Sequence, residues 1–186
     1  TLLDVINRQS SAVKQEELGM YFKEKWKLIL TDDSQKRILV TGHRRESFGE
    51  DFRNICLALK EIAKKNPDTT IIYPVHLNPN VQKPVYETLG SSLTNRIDST
   101  ALENIILLEP LKYEHFVYLM SKSYIIITDS GGIQEEAPSL HKPVLVMRNT
   151  TERSEGIDAN TLKLVGTKQD RIAGAAQQLL DSKYVY

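Results

Sequence analysis

The sequence predicts a doubly wound α/β domain built on a mostly parallel sheet. Three observations carry that expectation. Short apolar runs alternate with helix-patterned segments, the links between them are brief, and several runs are apolar throughout. "YIIIT" (124–128) and "VLVM" (144–147) are of the last kind, as strands buried on both faces must be.

Taken in order, residues 1–34 are polar with scattered apolar positions and predict a helical lead-in of one or two helices. "RILVTG" (37–42) is a short apolar run ended by glycine, a strand. Beyond the polar loop "HRRESFGED", Phe52, Ile55, Cys56, Leu59, Ile62 and Ala63 recur at helical spacing until Asn66-Pro67 stops them. "TTIIYPV" (69–75) is the next strand. "NPNVQKPVYETLG" is a helix opened by Asn78 and Pro79, with Pro84 inside it. "NIILLEP" (104–110) is a strand, "KYEHFVYLMSKS" a helix and "YIIIT" a strand. "GGIQEEAPSL" is a helix, followed by the strands "KPVLVMR" and "TLKLVG" (161–166). "QDRIAGAAQQLLDS" closes the chain as a helix with Ile172, Ala175, Ala176 and Leu179 on one face. The predicted organisation is a lead-in over 1–34 and one α/β domain over 35–186.

Composition narrows the function classes. With 186 residues, 40% hydrophobic, the chain suits one compact domain. Lys+Arg and Asp+Glu are equal at 24 each, so the basic excess expected of a nucleic-acid binder is missing. No apolar run approaches a membrane span, and no charged-then-apolar leader opens the chain. The one cysteine, Cys56, excludes an internal disulfide and mildly favours a cytoplasmic home. Residue 1 is Thr rather than Met, which raises the expectation of a piece of something larger.

In doubly wound folds, ligands bind outside the carboxyl ends of the strands. Three loops there are loaded: "TGHRRESFGED" (41–51), "PVHLNPN" (74–80) and "TDSGG" (128–132). Gly131 and Gly132 let backbone amides approach a ligand, and the helix that follows offers free N–H groups and a positive dipole end. With the Ser130 hydroxyl this makes a cradle for phosphate, and Glu135 and Glu136, one turn in, can accept from sugar hydroxyls. The plainer alternative has Ser130 capping the helix and the glutamates complementing its dipole. His43, Arg44 and Arg45, across the same edge, tip the balance by supplying the charge a diphosphate needs. The "TTER" loop (150–153) also follows a strand, which puts Arg148 and Arg153 on this rim. No G-x-x-x-x-G-K-[ST] loop, G-x-G-x-x-G turn or G-x-S-x-G elbow is present. The four histidines lack paired metal spacing, and His115 and His141 read as packing or surface residues.

"VTGHRRESFG", "IIYPVHLNPNV", "LMSKSYIIITDSGGIQEEAPSLHKPVLVMRNTTER" and "TLKLVGT" resemble, in order, the motifs of the non-hydrolysing bacterial UDP-N-acetylglucosamine 2-epimerases. That resemblance spans roughly Arg37 to Arg171. It implies a Rossmann-like domain, the carboxyl-terminal one of a two-domain GT-B enzyme with its active site in the interdomain cleft. It further implies interconversion of UDP-GlcNAc and UDP-ManNAc by elimination and re-addition of UDP, with no obligatory NAD or metal. By the same resemblance Ser130, Gly131 and Gly132 hold the diphosphate and Glu136 the ribose hydroxyls. His43 and Arg44 lie at the pyrophosphate and help UDP depart, with Arg45 and Arg153 adding charge. His76 flanks the nucleotide-sugar and Phe116 lies beside the uracil. The carboxylates that handle the C2 proton belong to the other domain, so this chain by itself is expected to bind UDP weakly and to turn over poorly or not at all. The full enzyme is expected to be a cytoplasmic homodimer in cell-envelope polysaccharide synthesis. Three positions depart from the family pattern: Asn149 replaces a usual Asp, His141 a usual Gly and Ser154 a common Pro. A GT-B glycosyltransferase domain and a non-catalytic nucleotide-sugar-binding domain are the competing readings; "GHRRES" and "PVHLNPN" argue against the first.

Overall fold

The computed structural model describes residues 1–90, 102–158 and 161–182. Among the described residues, six strands form one sheet: β1 (Arg37–Thr41), β2 (Thr70–Pro74), β3 (Ile105–Leu108), β4 (Ile125–Thr128), β5 (Val144–Val146) and β6 (Leu162–Leu164). Their order across the sheet is β3-β2-β1-β4-β5-β6, and every pairing is parallel. The sheet is thus wholly rather than mostly parallel. Side chains alternate strictly between its faces, as the period of a strand requires. Ile38, Val40, Ile71, Tyr73, Ile125, Ile127 and Leu145 face one core; Leu39, Ile72, Ile126, Val144 and Val146 face the other.

Two helical layers cover these faces. On the first lie α3 (Glu50–Lys65), α4 (Pro79–Leu89) and α8 (Gln169–Asp181). On the second lie the lead-in helices α1 (Leu2–Gln9) and α2 (Ala12–Trp26), then α5 (Tyr113–Ser121) and α6 (Gly131–Ser139). Fully burying one Leu or Ile stabilises by roughly 1.5–3 kcal/mol. An exposed ion pair such as Lys65–Glu61 contributes about 0–1 kcal/mol. The apolar layers therefore decide the fold. Helix α4 runs through Pro84, which has no N–H to give the carbonyl of Asn80, a residue in the exposed first turn where water can serve it. Gly49 opens α3 at φ 93°, ψ −130°, a conformation that a side chain would strain.

Two short elements were not visible in the sequence pattern. The loop after β1 contains a 3-10 turn at Arg45–Ser47, and α7 (Ser154–Asp158) follows the "TTER" stretch. Both are shorter than two helical turns, too short for periodicity to register. At the end of α6, His141 occupies the left-handed region at φ 55°, the helix-terminating position that glycine favours. That is the physical content of the departure at position 141. Among the described residues, no helix is long and apolar enough to cross a membrane.

Candidate functional site

The strand order reverses direction between β1 and β4, and the loops leaving these two neighbours meet at the carboxyl edge. The register pairs Thr41 with Thr128, and their hydroxyl oxygens lie 2.6 Å apart. Thr128 also accepts from the Ser130 amide at 2.9 Å, which turns the chain out of β4.

Asp129 sits in this crevice with its side chain fully buried. Its Oδ2 accepts from the backbone amides of both His43 and Arg44 at 2.9 Å, so one carboxylate fixes the start of the "HRRES" loop. Its Oδ1 has no hydrogen-bond partner among the described residues and lies 3.6 Å from His43 Nδ1. Below, the buried Tyr73 hydroxyl donates to the Gly42 carbonyl at 3.0 Å and anchors the same loop from β2. Asp129 and Tyr73 escaped the sequence reading because their roles come from contacts across the sheet.

The histidines of two loops converge. The His43 and His76 rings stack at 5.3 Å between centroids and 15° between planes. His76 Nδ1 accepts from the Asn78 amide at 3.1 Å, so neutral His76 carries its proton on Nε2. Arg44 approaches Glu46 at 3.5 Å, a long contact, whereas Arg45 is exposed and has no ion pair among the described residues.

Helix α6 begins at Gly131, and Ser130 stands at its N-cap with extended backbone but no capping bond from its hydroxyl. The simple capping reading of Ser130 therefore does not hold, and first-turn amides are left without it. Arg153 lies over this turn. A Cβ added at Gly131 would meet its guanidinium at 3.0 Å, so the arginine packs directly on the glycine and would have to shift for any larger residue. Gln134, buried, ties the two segments: its amide donates to the Ser130 carbonyl at 3.1 Å, and its oxygen accepts from Thr151 Oγ1 at 2.6 Å. Arg148 clamps Glu152 through both terminal nitrogens at 3.2 Å, and these bonds lower the Glu152 pKa to about 2.

The adjacent glutamates differ. Glu135 is ion-paired to Arg153 at 2.7 Å, whereas Glu136 makes no ion pair among the described residues. Glu136 Oε1 accepts from the Tyr113 hydroxyl at 2.7 Å. Burial first, and this bond second, push the Tyr113 phenol up to about 12, so it donates at neutral pH. Tyr113 begins α5 and nothing in the sequence singled it out. Phe116, one turn on, is half-buried against the second core, leaving only part of its ring to face a base.

The structure thus brings His43, Arg44 and His76 together, and separately Ser130, Gly131, Glu135 and Arg153, with Asp129 joining the groups. An apolar cleft of about 700 Å³ lies elsewhere, beside β6, lined by Ile157, Leu162, Leu164 and Leu179 with one cation, Lys163. It contains none of the rim residues and lacks the paired charges a diphosphate requires.

Residues 1–186 match the family model described as UDP-N-acetylglucosamine 2-epimerase. The UDP-N-acetylglucosamine 2-epimerase of Campylobacter jejuni is 59% identical over 155 residues, which make up 83% of this chain and 38% of that protein. The solved UDP-GlcNAc 2-epimerase of Neisseria meningitidis bound to UDP-GlcNAc superposes with a TM-score of 0.87 at 43% identity, covering 100% of this chain and 46% of that one. The S. aureus MnaA–UDP co-structure gives 0.74 at 41% identity, covering 89% and 40%. The chain therefore spans less than half the length of these relatives. By the family match and the level of identity, the chain belongs to the UDP-N-acetylglucosamine 2-epimerase family.

Proposed function

We propose that this chain is the UDP-binding half of an enzyme that interconverts UDP-GlcNAc and UDP-ManNAc through elimination and re-addition of UDP. The observation that carries the proposal is the joined edge of β1 and β4, where Asp129 holds the histidine–arginine loop against the glycine turn of α6. The Ser130–Gly132 turn and its amides receive the diphosphate. Arg44, Arg45 and Arg153 balance its charge, and Glu136, oriented by Tyr113, accepts the ribose hydroxyls. As UDP leaves, negative charge grows on phosphate oxygens, and pre-positioned cationic and N–H donors stabilise it there. His43 and Arg44 serve this step, while His76 borders the sugar side. Phe116 meets the uracil with its exposed part.

The carboxylates that remove and return the C2 proton lie in this proposal in a second domain, with the cleft between the two domains as active site. A general base must reach the proton it takes, and Glu135 is occupied by Arg153. The chain alone then binds UDP but turns over UDP-GlcNAc poorly or not at all. The complete enzyme is read as a cytoplasmic homodimer that serves envelope polysaccharide synthesis. Calorimetry tests the grip: Arg44→Ala and Glu136→Ala should each weaken UDP binding by about 10-fold, as expected for one lost charge-assisted contact. Unchanged affinity in both variants would remove the proposed cradle.

A further inference from the structure

We infer that Asp129 is the positioning residue for His43, committing its Nδ1–H so that the imidazole meets the ligand through Nε2. The Asp129 carboxylate is fully buried, yet only Oδ2 is used, by the two loop amides. Oδ1 has no partner among the described residues, and a buried acceptor left unpaired is costly. His43 Nδ1 stands 3.6 Å away and can carry the hydrogen that would satisfy it. A small ring rotation closes that gap to a hydrogen bond. His76, stacked 5.3 Å from the same ring, narrows the orientations left to it. With Nδ1 facing inward, Nε2 points to the exposed rim, where the side chain is 46% accessible. There the ring offers a lone pair when neutral and an N–H when protonated, with the aspartate charge behind it. The inference rests on the proposed UDP reading for the identity of the ligand, but not for the geometry.

Asparagine separates this role from simple support of the turn. Its oxygen can still accept both loop amides, but its NH₂ then faces Nδ1, which must become the acceptor. Asp129→Asn therefore preserves the turn and moves the His43 proton to Nε2. Long-range ¹H–¹⁵N correlation spectra of the imidazole rings in the 186-residue chain, above the imidazole titration, read this directly. The His43 signals are assigned through His43→Gln. The expected result is a neutral His43 protonated on Nδ1 in the native chain and on Nε2 in Asp129→Asn. A native His43 protonated on Nε2 would overturn the inference even if the variant fails to fold, and so would a tautomer unchanged by the substitution. No nucleotide is present in this experiment. An Nδ1–H tautomer in a chain that does not bind UDP by calorimetry would sink the nucleotide reading alone, and UDP binding with an Nε2–H tautomer would sink this inference alone.

Discussion

Strands β1 and β4 lie side by side, and each end of the pair carries one buried charge. At the amino end is Arg37, 1% exposed; at the carboxyl end is Asp129, 0% exposed. Both are wrapped by backbone. Arg37 donates to the carbonyls of Ile29, Asp32 and Lys122, binding the lead-in and the end of α5 to the sheet. Asp129 accepts from the amides of His43 and Arg44. The difference lies in what each atom left over can see. Arg37 Nε, without a partner among the described residues, belongs to a side chain bonded into the lead-in, whereas Asp129 Oδ1 lies 3.6 Å from the His43 ring on an open rim. The same device thus ties structure together at one end and, in the reading proposed above, orients an imidazole at the other.

That contrast is broken most severely from the amino end. Arg37→Ala removes three bonds to part-buried carbonyls and empties the space of a fully buried side chain, and should cost about 3 kcal/mol in chemical denaturation. UDP affinity of the folded fraction should not change. Asp129→Ala should cost less, about 2 kcal/mol for two unpaired amides, yet should reduce UDP affinity at least about 10-fold. If the two variants behave alike in both measurements, the ends do not differ as described.

The smallest effect is on the neighbouring "TTER" loop. The Glu152 pKa falls from 4.5 to about 2, chiefly through its bonds from Arg148. A lowered carboxylate pKa contributes stability above the unfolded value that disappears as pH drops through the folded one. The protection of the Arg153 amide, its exchange rate relative to an unstructured peptide at the same pH, should therefore hold above about pH 4.5 and fall between about pH 4.5 and 2. Glu152→Gln should abolish that response.

Much of this architecture is legible in the sequence, for a physical reason. In a parallel sheet covered on both faces the strands must be continuous runs, so "YIIIT" and "VLVM" declare themselves. The loops that follow them then fall on one edge by topology alone, which is why His43, Arg44, His76, Ser130 and Gly131 could be nominated. What stayed hidden depends on distance along the chain. Asp129 bonds to an amide 86 residues away, and Tyr113 reaches Glu136 across 23, with no local spacing to announce either. Ser130 shows the converse. Its place at the start of α6 follows from the local pattern, but whether its hydroxyl caps the helix depends on a side-chain orientation that no local pattern encodes.

In the proposed function UDP is held where β1 and β4 end. Backbone amide shifts of the chain, followed through a UDP titration, report that placement residue by residue. Saturable shifts concentrated at residues 43–45, 113–116 and 130–136 are the predicted result. Shifts centred on Ile157, Leu162 and Leu179 beside β6, or around Arg37 at the opposite end, would contradict it.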